Sequence, residues 1–234
     1  MYKRQLSYIL RELAHEKDMK GLKVCVTAGP TRETIDPVRF ISNRSTGKMG
    51  FALAKNAMER GADVTLVSGP VELKDVPFVK MVHVESARQM FEAVTKEAET
   101  ADIIVKAAAV ADYRPAVVAD EKIKKKDGDM SIALERTDDI IGTLGKTKRD
   151  NLFLCGFSME TEHMLENSKA KLEKKNLDMI IANNVKVKGA GFGTDTNVVT
   201  LITKDEIKEL PIMSKEDVAD EIFNNILANR KGIV

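Results

Sequence analysis

A short polar segment, 42–50 (SNRSTGKMG), places an amide, hydroxyls, two glycines and a lysine directly before a helical pattern. Free backbone N–H groups and the helix dipole attract anions to such a junction, so the segment predicts a phosphate site. The same residues are equally typical of a strand-to-helix connection that needs glycine for close packing. A Walker A loop is excluded, because Ser42 and Met49 stand where that loop requires a glycine and a hydroxyl residue.

Other polar residues with chemical potential are ambiguous when each is taken singly. Asp112 ends a predicted buried strand, where open α/β sheets bind ligands, although an acidic residue there is also a common helix N-cap. Lys171 and Lys175 are four residues apart on a predicted helix and could clamp one phosphate, but such pairs are usually solvated. The lysine-rich run 120–129 could close over an anion or be a plain surface loop.

Dinucleotide chemistry is not favoured by the segment that follows the first predicted strand. Residues 28–33 (AGPTRE) contain one glycine, where the fingerprint G-x-G-x-x-G needs three. None of the three tyrosines is followed four residues later by the lysine that a short-chain dehydrogenase needs. A nicotinamide-dependent oxidoreductase is therefore disfavoured.

The elements that must position these groups alternate along the chain. Apolar runs predict strands at 22–29, 63–69, 101–112, 152–157 and 178–185, and helical spacing predicts helices at 47–60, 86–98, 140–144, 163–175 and 214–229. This alternation predicts an α/β fold with a Rossmann-like parallel sheet and helices on both faces. Residues 197–212 predict an added C-terminal β-hairpin at a sheet edge, where we expect a subunit contact.

Composition narrows the class of protein. The 234 residues are 43% hydrophobic and 31% charged, which is typical of one soluble globular domain. The 37 Lys+Arg and 36 Asp+Glu nearly cancel, so no overall basic field predicts nucleic-acid binding. No apolar run reaches the length of a membrane span. Cys25 and Cys155 lie in predicted strands, which indicates reduced thiols and a cytoplasmic location.

Taken together, the motifs TAGPTRETIDPVRFISNRSTGKMG, VTLVSGP, AAAVADYRP, EKIKK, GFSMET and KKNLDMIIANN, in this order, resemble the phosphopantothenoylcysteine synthetase family of coenzyme A biosynthesis. The resemblance implies a synthetase domain at 21–234 and an N-terminal helix or linker at 1–20. In bacteria such a domain is often fused to a flavin-dependent decarboxylase, so the chain is expected to be a monofunctional form or one half of such a protein.

The resemblance also implies a two-step ligase reaction. The carboxylate of 4'-phosphopantothenate attacks the α-phosphate of CTP, which gives an acyl-cytidylate and pyrophosphate. The amine of cysteine then attacks the acyl carbon and releases CMP. Mg²⁺ is implied by triphosphate chemistry, and the choice of CTP over ATP rests on the similarity to bacterial members.

Three residues acquire catalytic roles by this resemblance. Asn43 matches an asparagine that holds the acyl-cytidylate, and Arg39 matches an arginine at the same site. Lys122 matches a lysine tied to cysteine addition, and the residues after it match a flap over the intermediate.

The implied nucleotide site is larger, and three positions near it depart from the family pattern. Ser158 and Met159 replace small residues, and Asp138 replaces a proline, which affects base packing rather than the reaction class. Asp112 is also the candidate metal ligand. The implied nucleotide-binding residues are Ser45, Gly47, Lys48, Ala108, Ala109, Asp112, Asp139, Ile140, Phe157, Lys171 and Lys175.

A regulatory or scaffold protein that binds a nucleotide without turnover is the alternative in another functional class. The joint presence of Asn43, Arg39 and Lys122 favours the enzyme, since nucleotide binding alone would not need residues that match those acting on an acyl intermediate.

Overall fold

The structure is a computed structural model that describes residues 2–125, 129–159, 164–183, 191 and 193–230. Within these ranges, no helix combines the length and the apolar character needed to cross a membrane. The strands are β1 (Lys23–Ala28), β2 (Arg32–Thr34), β3 (Phe40–Ser42), β4 (Asp63–Ser68), β5 (Lys80–His83), β6 (Ile103–Lys106), β7 (Tyr113–Pro115), β8 (Leu134–Arg136), β9 (Phe153–Met159), β10 (Met179–Asn183), β11 (Thr196–Asn197), β12 (Val199–Thr203), β13 (Ile207–Glu209) and β14 (Met213–Ser214). The helices are α1 (Tyr2–Leu13), α2 (Lys48–Glu59), α3 (Ala87–Ala98), α4 (Ile140–Lys146), α5 (Met164–Lys174) and α6 (Lys215–Arg230).

The central sheet has eight strands in the order β13-β12-β10-β9-β6-β1-β4-β5. The six from β10 to β5 are parallel, whereas β12 and β13 are added antiparallel as the predicted hairpin, with β13 at the edge. The chain proceeds from β1 to one side and later from β6 to the other. Because loops diverge at such a switch point, a crevice is expected beyond the carboxyl ends of β1 and β6.

Helices cover both faces of the sheet, as the alternation predicts. On one face α2 and α6 pack on the strands, with Leu53 and Phe223 fully buried. On the other face α3, α4 and α5 contribute Met90, Ile140 and Leu172 to a second apolar cluster. Both cysteines are free and buried in the two clusters, which confirms the prediction of core thiols.

The strand predicted at 101–112 is shorter in the structure, where β6 ends at Lys106. The alanine-rich segment that follows leaves the ladder and makes one isolated bridge, Pro30 with Ala109. Two buried hydroxyls hold it there: Oγ1 of Thr27 accepts a hydrogen bond from the N–H of Ala108 at 3.0 Å, and Oγ1 of Thr31 accepts one from Ala111 at 3.0 Å. Side-chain hydrogen bonds thus replace strand pairing where the loop meets the sheet edge.

Two short antiparallel ribbons, β2–β3 and β7–β8, stand beside the sheet and were not predicted. They carry large apolar side chains that are about half exposed, namely those of Val38, Phe40, Tyr113 and Leu134. The ribbons therefore present an apolar surface next to the carboxyl edge of the sheet.

The segment before β1 is anchored to the domain by a buried arginine. Arg60, at the end of α2, is 4% exposed, and its Nε donates to Oδ1 of Asp18 at 2.9 Å. A second guanidinium nitrogen of Arg60 lies 3.4 Å from Oδ1 of Asp220 in α6. Met19, in the stretch expected to be a linker, is fully buried in the core.

We expect Asp18→Asn to lower the free energy of unfolding near pH 7 by about 1 kcal/mol, an estimate reduced because Asp18 is partly exposed. Hydrogen bonding from Arg60 holds the pKa of the Asp18 carboxyl below its usual value. Its contribution is therefore full above the unfolded-state pKa of about 3.9 and fades as the pH falls through the folded-state pKa.

Urea unfolding at pH 7 and at about pH 3 measures this difference. The deficit of Asp18→Asn should shrink at the lower pH, while Asp205→Asn, on an exposed hairpin turn, serves as the control. An equal deficit at both pH values would contradict the assigned ion pair.

Candidate functional site

A cavity of about 300 Å³ lies beyond the carboxyl ends of β1 and β6, where the strand order reverses. Three segments form most of its wall: the loop from β3 into α2, the alanine-rich loop after β6, and the end of β9. The lining residues are Asn43, Ser45, Thr46, Gly47, Lys48, Met49, Gly50, Lys106, Ala107, Ala108, Ala109, Val110, Asp112, Phe157, Ser158, Met159, Asn183, Gly191, Asn197 and Lys215.

The glycines of the 42–50 segment bring α2 close to the sheet. Gly47, the N-cap of α2, has a φ of 79°, which side chains rarely tolerate. A Cβ at Gly50 would lie 2.5 Å from Cβ of Ala28 and 2.8 Å from the carbonyl oxygen of Thr27. The backbone conformation at Gly47 and the close packing at Gly50 are therefore enough to require the two glycines. The same packing sets the N-terminus of α2 against the cavity. Phosphate binding there stays a prediction.

Asn43 joins the two loops that face each other across the cavity. Its Nδ2 donates to the carbonyl oxygen of Ala109 at 2.8 Å, and the N–H of Ala109 donates to Gly29 at 2.9 Å. The amide of Asn43 is therefore held by the backbone of the alanine-rich loop while the residue stays exposed. Such a fixed, neutral amide can orient a carbonyl or phosphoryl oxygen.

A second cavity of about 350 Å³ adjoins the first and shares Lys106, Val110 and Asp112 with it. Asp139, Ile140 and Lys175 lie in its wall. The two cavities are therefore adjacent parts of one candidate site at the carboxyl ends of the strands.

Asp139 and Lys175 form an ion pair within the second cavity. Oδ2 of Asp139 lies 2.9 Å from Nζ of Lys175, and Oδ1 of Asp139 accepts a hydrogen bond from the N–H of Gly142 at 3.1 Å. Desolvation raises the pKa of the Asp139 carboxyl, but the hydrogen bonds from Lys175 and Gly142 outweigh it and hold the pKa below its usual value. The charge of Lys175 is thus balanced by a carboxylate.

Lys48, at the first position of α2, is also paired. Its Nζ lies 2.7 Å from Oδ1 of Asp195 and 3.1 Å from the carbonyl oxygen of Gly193. The hydrogen bond from Lys48 lowers the pKa of the Asp195 carboxyl. A phosphate that reached Lys48 would compete with this carboxylate.

Arg39 lies in the turn of the β2–β3 ribbon and does not line either cavity. Two nitrogens of its guanidinium, one of them Nε, donate to the same oxygen, Oδ2, of the buried Asp36. This contact is the main reason that the pKa of the Asp36 carboxyl is held well below its usual value. A guanidinium nitrogen also donates to the carbonyl oxygen of Ile123 at 3.1 Å. Among the described residues, the side chain of Arg39 thus bonds to Asp36 and to the segment that carries Lys122.

Lys122 and Lys171 likewise lie outside the two cavity walls, and both are exposed. Next to Lys122, the N–H of Ile123 donates to Oδ2 of Asp36 at 3.1 Å, which fixes the start of the predicted flap. Residues 126–128 of that flap lie outside the described residues. The structure thus brings together the predicted residues Asn43, Ser45, Gly47, Lys48, Ala108, Ala109, Asp112, Asp139, Ile140, Phe157 and Lys175.

Sequence reasoning missed two lysines that line the first cavity. Lys215, only 6% exposed, donates to the carbonyl oxygen of Gly191 at 3.0 Å and to that of Thr194. Lys106 ends β6 and lines both cavities. The sequence did offer a signal for Lys106 as a site residue, namely a charged residue at the end of the apolar run IIVK. Lysines are rarely buried without a reason.

Asp112 was the predicted metal ligand, and it is exposed in the wall shared by the cavities. In the part of the chain that the structure describes, no group of three or more His, Cys, Asp and Glu side chains is placed to hold a metal ion. Mg²⁺ is commonly bound by one or two carboxylates together with substrate phosphates, and one exposed carboxylate fits that mode.

Comparison with known proteins connects this geometry to a family. The pattern of the DNA/pantothenate metabolism flavoprotein C-terminal domain matches residues 19–229. The coenzyme A biosynthesis bifunctional protein CoaBC of Bacillus subtilis (strain 168) is 52% identical over 216 residues, which cover 91% of this chain and 53% of that protein. A protein named cysteine/cysteine sulfinic acid decarboxylase, from an unknown prokaryotic organism, is 45% identical over 224 residues, or 95% of this chain and 62% of that one.

A solved structure agrees with the sequence matches. The crystal structure of the C-terminal domain of CoaBC aligns with a TM-score of 0.76 at 44% identity, covering 89% of this chain and 95% of that domain. The chain spans little more than half the length of the B. subtilis relative, and the part that it matches is the C-terminal domain. The protein therefore belongs to the DNA/pantothenate metabolism flavoprotein C-terminal domain family.

Proposed function

We propose that this domain is a phosphopantothenate–cysteine ligase, which joins 4'-phosphopantothenate to L-cysteine through an acyl-cytidylate made from CTP. The observation that carries the proposal is the pair of adjoining cavities at the strand-order reversal, with Asn43 bonded to the alanine-rich loop between them. The similarity to the CoaBC C-terminal domain supports the same assignment.

In the first step, an oxygen of the substrate carboxylate attacks the α-phosphorus of CTP and pyrophosphate leaves. Several anions must then share one site, so oriented N–H groups and cations are needed more than a strong base. The N-terminus of α2 and Lys48 face the first cavity, and Lys175 faces the second. Lys48 and Lys175 would exchange their carboxylate partners for phosphate oxygens.

In the second step, the amine of cysteine attacks the acyl carbon and CMP leaves. The amide of Asn43 suits the mixed anhydride because it can orient the acyl-phosphate without attacking it. Lys122 lies on an exposed segment whose start is fixed by Asp36 and Arg39. Arg39 is thus a positioning residue for the Lys122 segment, which would close over the intermediate.

Mg²⁺ would accompany CTP, held by its phosphates and by Asp112, and would neutralise charge on the triphosphate. We further propose that the domain works in the cytoplasm and that it is naturally joined to a flavin-dependent decarboxylase, since the relatives named CoaBC are bifunctional and about twice as long.

A homodimer is part of the proposal. The predicted hairpin edge exposes one large apolar side chain, that of Ile207. The two ribbons expose four beside the cavities, those of Val38, Phe40, Tyr113 and Leu134. An apolar surface of this kind is typical of a protein contact. We propose that the ribbons of two copies pack together; the hairpin edge, where the sequence predicts a subunit contact, is the alternative location.

The function is tested by pyrophosphate release from the protein mixed with 4'-phosphopantothenate, Mg²⁺ and either CTP or ATP, with or without cysteine. We expect release that prefers CTP, is limited to about one equivalent without cysteine, and becomes catalytic with it. Folded protein that binds CTP but releases no pyrophosphate would instead be the nucleotide-binding protein without turnover.

Asn43→Asp should reduce the rate of pyrophosphate release by about 100-fold, because it removes the donor to Ala109 and places a negative charge among anionic substrates. Asn151→Asp is the matched control. Asn151 is exposed just before β9, at the amino ends of the parallel strands and thus opposite the cavities. Equal turnover of the two variants would remove Asn43 from the site.

Light scattering should give a mass twice that of the 25.9 kDa chain. Val38→Lys, in the turn of the β2–β3 ribbon, should shift the protein to monomer because it puts a charge into the apolar contact. Ile207→Lys, on the hairpin edge, should not. A reversed result would place the contact at the hairpin, and a monomeric wild-type protein would refute the dimer.

A further inference from the structure

Lys106 occupies a special place in the candidate site. It is the last residue of β6, a central strand of the sheet, and it is one of three residues in the wall shared by the two cavities. It is partly buried, unlike the exposed Asp112 beside it. A ligand that spans the two cavities would lie against this shared wall.

Three other lysines in the described cavity walls have partners, whereas Arg136, in the wall of the second cavity, is exposed. Lys48 pairs with a carboxylate at 2.7 Å and Lys175 with another at 2.9 Å. Lys215 is used by backbone carbonyls. The ammonium of Lys106, in contrast, makes no hydrogen bond or ion pair with any residue that the structure describes. It is thus a cation that is left available to a ligand.

Burial lowers the pKa of Lys106, and the positive charge of Lys175 lowers it further, while Asp112 and Asp139 oppose this at longer range. A desolvated charge without a direct partner opposes folding, and such groups are retained mainly where function uses them. The simpler alternative is that the aliphatic chain only packs against the cavity wall while the ammonium reaches solvent. The two possibilities predict different effects on stability.

We propose that Lys106 is a catalytic residue that binds the α-phosphoryl group while the cytidylyl group that contains it is transferred from pyrophosphate to the substrate carboxylate. This role rests on the proposed function, and it places the nucleoside beside Asp139 and Ile140 in the second cavity and the acyl group beside Asn43 in the first. The α-phosphoryl group is common to CTP and to the acyl-cytidylate. It therefore belongs at the shared wall, where Lys106 lies.

The chemistry at Lys106 needs no proton transfer. A carboxylate oxygen forms a bond to the α-phosphorus as the bond from that phosphorus to the bridging oxygen of the β-phosphate breaks. The electron pair of the broken bond leaves with pyrophosphate. The ammonium donates a hydrogen bond to a non-bridging oxygen of the α-phosphoryl group, whose charge is stabilised best when the donor is already in place.

The test compares Lys106→Met, Lys106→Arg and Lys23→Met. Lys23 is a matched control, because it is exposed at the opposite end of the neighbouring strand β1. We expect Lys106→Met to lower kcat for pyrophosphate release by about 100-fold with a smaller change in the KM for CTP. Lys106→Arg, which keeps the charge, should retain more activity, and Lys23→Met should behave as the wild type.

Thermal unfolding provides the readout that separates catalysis from packing. If Lys106 is retained for function, Lys106→Met should unfold at the same temperature as the wild type or higher, since it removes a desolvated charge. A lower unfolding temperature in Lys106→Met together with lower activity would assign Lys106 to packing and overturn the proposal.

Three kinetic results would also overturn it: wild-type turnover in Lys106→Met, a loss confined to the KM for CTP, or equal loss in Lys106→Arg. Each of these requires an active wild-type protein, so each refutes Lys106 alone. A wild-type protein that releases no pyrophosphate refutes the ligase function and the role of Lys106 with it.

Discussion

The close contact between α2 and β1 is the constraint on which the candidate site depends. Position 50 lies so near Thr27 and Ala28 that a Cβ would meet both. With glycine there, the first turn of α2 settles against the carboxyl end of β1, beside the point where the strand order reverses. The preceding loop is then near enough for Asn43 to bond the backbone of Ala109. The helix N-terminus, the amide and the alanine-rich loop are thus positioned by one packing contact.

The alanine-rich loop depends in turn on polar side chains in β1 and in the loop that follows β1. A segment of five small apolar residues has no side chain with which to fix its own backbone. Thr27 and Thr31 supply acceptors for two of its N–H groups, and both hydroxyl side chains are fully buried. Buried backbone groups need such partners, so this loop is held rigidly although it is not a strand. A rigid loop can present backbone atoms to a ligand without a cost of ordering.

Part of the positive charge in the site is neutralised in the free protein. Carboxylates hold Lys48 and Lys175, and Asp36 holds Arg39 away from the cavities. Ligand anions can replace the two exposed carboxylates, Asp195 and Asp139, but Asp36 is buried and bonded to several backbone N–H groups. Arg39 is therefore a fixed structural cation, whereas the two lysines are exchangeable. Lys106 differs from these three cations, since it pairs with no carboxylate among the residues that the structure describes.

The sequence by itself determined the α/β class, the alternation of the parallel strands with helices along the chain, and the C-terminal hairpin. These features follow from local periodicity and from contacts between near neighbours, which the sequence shows directly. Most of the site residues that the motifs indicated lie in the cavity walls. The tertiary structure alone decided that β6 ends at Lys106, that Arg39 bonds to the backbone of Ile123, and that Lys106 makes no hydrogen bond or ion pair with the residues that the structure describes. Each of these depends on groups distant in the chain, such as Thr27 against Ala108, and pairing over such distances is set by packing rather than by local pattern.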